Sequence, residues 1–158
     1  LLAELTTKRI QAVLDVYQDE PTPSFELLDA LTLATPHIAG YSLHGKMRGT
    51  LQVAEKLYQY FSLNKDLADV LGQYQAQITC DKNDTLADIM RKAYDIKQDS
   101  QAFIAQFKQG VSLEEKSAIF DAYRKNYKNR YELAYLTPLQ VPSGLGVLLK
   151  GLGFNTVG

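Results

Sequence analysis

Residues 35–41 of the chain read TPHIAGY, and they place His37, one of only two histidines, between a proline and a glycine. Pro36 stiffens the approach of the backbone, whereas Gly40 allows it to pass close to another group. Upstream, residues 15–21 read DVYQDEP and carry Glu20 before a proline. A carboxylate that holds one nitrogen of an imidazole leaves the other nitrogen to move a proton. The two segments therefore predict an acid/base pair.

A strand, a helix and a second strand are predicted to lead to this pair. Residues 10–17 form an apolar run typical of a buried parallel strand, residues 25–31 a helix, and residues 33–35 the next short strand. Ligands in open parallel sheets bind at the carboxyl ends of the strands. Both Glu20 and His37 follow such an end, which favours a site there.

An acidic residue, Asp15, lies inside the first apolar run. A carboxylate in an apolar strand is costly unless it has a partner. The sequence leaves two interpretations open. Asp15 is either hydrogen-bonded within the fold or aimed at a ligand.

The two motifs together resemble a known family. The pattern Leu-Asp-Val-aromatic-x-x-Glu-Pro at residues 14–21, then a short helix, then TPHIAGY, is similar to the end of the nucleotide-binding domain of the D-2-hydroxyacid dehydrogenases. Residues 41–50, YSLHGKMRGT, and the extension that ends in LKGLGFN at residues 149–155 resemble a member of that family with a phosphorylated substrate. The resemblance covers nearly the whole chain and is strongest over residues 1–60.

This resemblance implies a role for each of five residues. His37 would accept the proton of the substrate's C2 hydroxyl while a hydride leaves C2 for NAD, and Glu20 would orient the imidazole. Asp15 would hold the carboxamide of the nicotinamide ring, and Gly40 would contact the cofactor through its backbone. Tyr41 would bind substrate, with plain packing as its alternative. The other histidine is given no role.

The fold class implied by the resemblance is α/β. Residues 1–72 would be the C-terminal part of a Rossmann-like NAD-binding domain with its return helix, and residues 76–158 a small α+β dimerisation domain. No Gly-x-Gly-x-x-Gly fingerprint occurs in the chain, and the family requires one. We therefore expect a C-terminal fragment of a longer enzyme, inactive by itself, whose parent is a homodimer.

Periodicity and capping residues predict the remaining elements. Ser24 is a plausible N-cap for the helix at 25–31, and Ser112 for a helix that begins at 113. Helices are also predicted over 1–9, 42–63, 84–95, 100–110 and 143–152, with one further helical turn near 63–72, and strands over 76–80, 132–136 and 154–157. The apolar stripe of the helix over 42–63 is expected to pack against the substrate domain of the parent.

Four tyrosines recur every fourth residue from 123 to 135. Such a stripe indicates core packing or a subunit contact, and aromatic residues are enriched at interfaces. The sequence does not decide between these two interpretations.

Two basic residues within 41–50, Lys46 and Arg48, suit a phosphate-bearing substrate or a solvated helix face. The sequence does not decide between phosphate binding and solvent exposure for this basic pair.

Composition limits the classes of partner. With 17 basic and 18 acidic residues, the chain has no charge excess that would favour nucleic acid or an anionic membrane, and no apolar run is long enough for a membrane span. The single cysteine, Cys80, excludes an internal disulfide and has no partners at metal-ligand spacing, so we expect no metal and a buried or bystander thiol. These features fit a cytoplasmic setting.

Two alternatives to this dehydrogenase remain open. The chain could serve only as a dimerisation or ligand-sensing module, or the parent could be a different 2-hydroxyacid dehydrogenase. A symmetric dimer fits the first alternative and the enzyme equally well. The function of His37 distinguishes them.

Overall fold

The computed structural model describes residues 1–7, 9–63 and 70–155, which form a mixed α/β structure with two small parallel sheets. In chain order the elements are α1 (Leu2–Thr6), β1 (Val13–Leu14), α2 (Phe25–Ala30), β2 (Leu33–Ala34), α3 (Leu43–Tyr60), β3 (Ala76–Thr79), α4 (Leu86–Ala93), α5 (Ile96–Phe107), α6 (Leu113–Lys125), a 3-10 turn (Leu133–Tyr135), β4 (Leu136–Leu139) and α7 (Gly146–Gly151).

The chain folds into two compact units that alternate along the sequence. Unit 1 comprises residues 1–39 and 95–128, and unit 2 comprises residues 40–94 and 129 onward. This grouping differs from the predicted division at residues 72–76, because α5 and α6 pack with the N-terminal elements. The predicted division concerns the domains of a longer protein and stays a prediction.

Unit 1 is built on the parallel pair of β1 and β2, in which Val13 lies opposite Leu33 and Leu14 opposite Ala34. The Ser100 side chain accepts a 2.9 Å hydrogen bond from the Ala34 amide and so joins α5 to β2. The core consists of apolar and aromatic side chains from both halves of the unit, namely Leu5, Tyr17, Leu28, Leu31, Ala34, Phe103, Phe107 and Phe120.

The predicted tyrosine stripe is not a single surface. Helix α6 ends at Lys125, before the second of the four tyrosines. In unit 1 the Tyr127 hydroxyl donates to the buried Asp99 carboxylate, and the Tyr123 hydroxyl donates to the Asp99 carbonyl at 3.1 Å. In unit 2 Tyr131 and Tyr135 lie against a buried histidine. These contacts fit the core interpretation of the stripe within each unit, and its interpretation as a subunit contact stays a prediction.

Unit 2 is built on the parallel pair of β3 and β4, in register from Ala76 opposite Leu136 to Thr79 opposite Leu139. Its core contains Cys80, Ile89, Leu136, Leu149 and Phe154. The thiol is buried as expected, and burial raises its pKa.

The caps predicted from sequence are present. Ser24 accepts a 3.2 Å hydrogen bond from the Leu27 amide at the start of α2. At the start of α6 the Ser112 hydroxyl and the Glu115 carboxylate form a reciprocal capping box. Capping depends on residues three positions apart, so the local sequence is sufficient to specify it.

Several element boundaries were wrong. The strand predicted over 132–136 is the 3-10 turn followed by β4, and α5 begins at Ile96 because Asp95 caps it. Residues 154 and 155 form no regular strand, and the rest of that predicted strand, like residues 64–69 of the predicted helical turn, lies outside the described residues. Val13 and Val16 are exposed, so the predicted burial of the first strand is also wrong.

None of the helices that the structure describes is long and apolar enough to cross a membrane.

Candidate active site

The carboxyl ends of β1 and β2 bring two distant segments together within unit 1. The Thr35 amide donates to the Leu14 carbonyl at 3.0 Å, and the His37 amide donates to the Asp15 carbonyl at 2.7 Å. These bonds extend the parallel pairing just beyond the strands. As a result, the segment that carries Glu20 lies beside the segment that carries His37.

His37 and Glu20 are in direct contact. The Nδ1 atom of His37 lies 3.0 Å from Oε2 of Glu20, and the histidine side chain is 49% exposed against 21% for the glutamate. The carboxylate is an acceptor, so Nδ1 carries the proton in this contact. In the neutral ring Nε2 is then the nitrogen with a free lone pair, which is the form a general base requires.

The backbone at His37 adopts a left-handed conformation, with φ of 55°. This region is uncommon for a residue other than glycine and persists when the surroundings hold it. The Asp15 carboxylate supplies that support. Its Oδ1 accepts from the Ile38 amide at 2.8 Å and from the Thr35 hydroxyl at 2.6 Å, and its Oδ2 accepts from the Ala39 amide at 2.9 Å.

Asp15 therefore has partners inside the fold, as the first of its two sequence-based interpretations required. A carboxylate offers about four acceptor positions, and three are occupied here. Among the residues that the structure describes, none occupies the remaining position on Oδ2, which could accept from a donor such as a carboxamide. The predicted contact with the cofactor stays a prediction.

Gly40 and Tyr41 belong to unit 2. No described atom lies within 4 Å of a Cβ built at Gly40, so packing of the described residues does not demand a glycine there. The Tyr41 ring is partly buried, and the Lys46 ammonium lies over it at 4.4 Å from the ring centre. The predicted cofactor and substrate contacts of these two residues remain predictions.

The start of α3 carries its own polar network. Ser42 caps the helix by accepting from the Gly45 amide at 2.8 Å, and its hydroxyl donates to Glu132 Oε1, also at 2.8 Å. Arg48 reaches Oε2 of the same carboxylate at 3.4 Å. A carboxylate is favourable at the positive end of a helix. Glu132 thus occupies this helix start and faces the arginine that was considered for phosphate binding.

His44, which the sequence analysis left without a role, is fully buried. Its Nε2 donates to the Tyr74 carbonyl at 2.7 Å, and its ring stacks on Tyr135 with ring centres 3.6 Å apart. Its Nδ1 has no hydrogen-bond partner within the described part of the chain. The histidine is therefore a core residue of unit 2, which its neighbours in sequence do not indicate.

No group of three or more His, Cys, Asp or Glu side chains in residues 1–7, 9–63 and 70–155 could hold a metal ion. The chemistry that these residues offer is proton transfer by an imidazole held against a carboxylate.

Comparison with known proteins places the chain in a family. Residues 68–153, more than half of the chain, match the family described as "Domain of unknown function (DUF3410)". The chain belongs to this family.

Similar proteins from several bacteria carry the name erythronate-4-phosphate dehydrogenase. The chain is 37% identical over 160 residues to that of Shewanella sp. (strain W3-18-1), a match that covers 94% of this chain and 39% of the relative. It is 37% identical over 161 residues to that of Pseudomonas putida, covering 95% and 39%. It is 35% identical over 162 residues to that of Shewanella woodyi, a match that covers 94% of this chain and 41% of the relative.

The chain thus spans about two fifths of the length of these relatives. The resemblance inferred from the motifs is confirmed, since these relatives bear the name of a phosphorylated hydroxy-acid dehydrogenase.

Proposed function

We propose that this chain is part of an NAD-dependent D-2-hydroxyacid dehydrogenase that oxidises 4-phospho-D-erythronate to 2-oxo-3-hydroxy-4-phosphobutanoate, a step in pyridoxal phosphate (vitamin B6) synthesis. The contact of His37 with Glu20 is the observation that carries the proposal. It supplies the proton acceptor that oxidation of a secondary alcohol requires. The names of the similar proteins support the choice of substrate.

One observation within unit 1 fits an NAD site in this part of the parent protein. Among the described residues, the Asp15 carboxylate keeps one acceptor position beside His37. When bound, NAD supplies the electrophilic ring that takes the hydride from C2.

The chain's own residues then handle the proton. Nε2 of His37 accepts the proton of the C2 hydroxyl, so that the C–O bond becomes a carbonyl as the hydride leaves. The imidazolium formed in this step faces the Glu20 carboxylate, which stabilises the added charge. Asp15 keeps the His37 turn in place through the Ile38 and Ala39 amides.

The remaining elements of the proposal concern the parent protein. Residues 1–72 would close a Rossmann-like NAD-binding domain, and residues 76–158 would form a dimerisation domain. The exposed apolar side chains of α7 and the turn after it support a homodimer, namely Val147, Leu148 and Leu152. A cytoplasmic setting is proposed with the enzyme.

The test uses the full-length protein, with NAD and 4-phospho-D-erythronate, and follows NADH absorbance. His37→Ala should lower kcat by roughly 10² to 10⁴, the contribution of a general acid/base. Gln18→Ala, an exposed neighbour on the same loop, is the control and should retain the wild-type rate.

Substrate comparison tests the second alternative. Unphosphorylated D-erythronate should be a poor substrate, and equal kcat/KM for the two acids would point to a different 2-hydroxyacid dehydrogenase. Full activity of His37→Ala would contradict the catalytic assignment and favour a non-catalytic module.

A further inference from the structure

Tyr17 lies in the segment that carries Glu20 and also contacts the segment that carries His37. Its backbone amide donates to Oε1 of Glu20 at 2.9 Å. The other oxygen of that carboxylate, Oε2, is the one in contact with His37. The Tyr17 amide thereby fixes which way the carboxylate faces.

The hydroxyl of Tyr17 acts on the opposite segment. It lies 3.0 Å from the Thr35 carbonyl and 3.1 Å from the Leu14 carbonyl, and its single proton is shared between these two acceptors. Leu14 ends β1, and Thr35 lies two residues before His37. The hydroxyl therefore ties the end of one strand to the backbone that leads to the catalytic imidazole.

This hydroxyl is buried and remains a donor. The Tyr17 side chain belongs to the core of unit 1 and is 6% exposed. Burial raises the pKa of Tyr17 well above that of free tyrosine, and the negative charge of Asp15 raises it further. The phenol consequently keeps its proton through the pH range in which an imidazole changes charge.

Packing alone does not explain a tyrosine at this position. A phenylalanine ring would fill the same volume in the core without placing a hydroxyl there. A buried hydroxyl is favourable only when its hydrogen bonds are made, and both acceptors here belong to the strand ends that form the site.

We infer that Tyr17 is a positioning residue for the proposed reaction, holding the Glu20 carboxylate and the His37 turn at the separation that proton transfer needs. This inference rests on the proposed function. Removing the hydroxyl alone should let the two segments shift relative to each other while the core ring stays in place.

The first experiment compares Tyr17→Phe with wild type in the full-length protein. We expect kcat to fall about tenfold, because small displacements of a catalytic group are costly, while KM for NAD and for 4-phospho-D-erythronate stays unchanged. A smaller folded fraction would be visible in the thermal melt, so both proteins are assayed well below their melting temperatures.

Tyr123→Phe is the matched control. It removes a hydroxyl that also donates to a backbone carbonyl of unit 1, that of Asp99 at 3.1 Å. The loss of stability should be similar for the two variants, whereas Tyr123→Phe should keep kcat within about twofold, as expected for a group that makes no transition-state contact.

A double-mutant cycle with Glu20→Ala tests whether the Tyr17 hydroxyl affects kcat through the Glu20–His37 contact. If the hydroxyl acts by setting the Glu20–His37 contact, adding Tyr17→Phe to Glu20→Ala should lower kcat less than about twofold, because groups that act as one unit are not additive. An unchanged tenfold loss in that background would overturn the inference.

The outcomes separate this inference from the proposed function. Loss of turnover in His37→Ala together with a wild-type kcat in Tyr17→Phe would overturn only the role of Tyr17. Retention of turnover in His37→Ala would overturn the proposed function, and the role of Tyr17 with it. A rise in KM without a fall in kcat would also contradict positioning of the acid/base pair.

Discussion

The Nδ1 atom of His37 lies 3.0 Å from Oε2 of Glu20, although 17 residues separate them in the chain. The contact exists because each residue follows the carboxyl end of one strand of a parallel pair. It fixes the tautomer of the imidazole. The negative charge of Glu20 is therefore the property that a substitution should remove.

Glu20→Gln should lower kcat of the full-length protein by roughly 10²- to 10⁴-fold, because the imidazolium formed in the proposed oxidation would lose its counter-charge. Asp19→Asn is the control, since it makes the same change of charge at the adjacent, exposed residue. It should leave kcat within about twofold of wild type. Equal rate losses in the two variants would show that net charge near the loop, and not the contact with His37, determines the effect.

Two glycines of α3 should respond to alanine in opposite directions. A Cβ at Gly45 would lie 2.8 Å from Ser42 Oγ and 2.9 Å from the Gly40 carbonyl, whereas at Gly49 it would meet no described atom within 4 Å. Gly45→Ala should lower the free energy of unfolding by about 1–3 kcal/mol through overpacking. Gly49→Ala should raise it by about 0.5–1 kcal/mol through its better helix propensity. Urea denaturation measures both, and shifts of the same sign would contradict the packing at the helix start.

His44→Ala should lower the free energy of unfolding by about 2–4 kcal/mol, because it leaves a cavity against Tyr135. His44→Phe keeps a stacking ring and removes only the donor to the Tyr74 carbonyl, so its cost should be smaller, about 1–3 kcal/mol. Gln52→Ala, at an exposed polar position of α3, serves as the control and should lie within about 0.5 kcal/mol of wild type. A negligible effect of His44→Ala in chemical denaturation would mean that this ring is not part of the core.

The capping box at the start of α4 predicts a pH dependence. Hydrogen bonds from the Thr85 hydroxyl and amide lower the pKa of Asp88 from 3.8 to about 2, and Arg91 adds to the effect. Because the pKa in the folded state is depressed, the stabilisation by Asp88 is present above pH 3.8 and is lost as the pH falls through about 2.

The measurement is the difference in unfolding free energy between wild type and Asp88→Asn. It should favour wild type at neutral pH and shrink as the pH falls from about 4 to 2. A difference that stayed constant over this range would show that the carboxylate gains nothing from the cap.

Much of the candidate site was predictable because its residues lie in short, chemically distinctive segments. Three local signals were sufficient: the acidic Asp15 within an apolar run, the Glu-Pro step after it and the Pro-His pair. In each case the residues a few positions away indicate the chemistry of the side chain. The parallel pairing of β1 and β2 then places these segments at one edge, as the rule for parallel sheets requires. Tyr17 was missed, since a tyrosine in an apolar segment is equally compatible with simple packing.

By itself, the sequence determined the helix caps at Ser24 and Ser112, the resemblance that the relatives confirm, and the residue types available for proton transfer. Caps and motifs depend on residues three to seven positions apart, so local propensity is enough to specify them. Tertiary structure alone decided that β3 pairs with β4 across the intervening helices, that His44 is buried, and that the Tyr17 hydroxyl joins two strand ends. Those contacts join residues distant in sequence, and they form only because burying the two apolar cores outweighs the entropy of closing the loops between them.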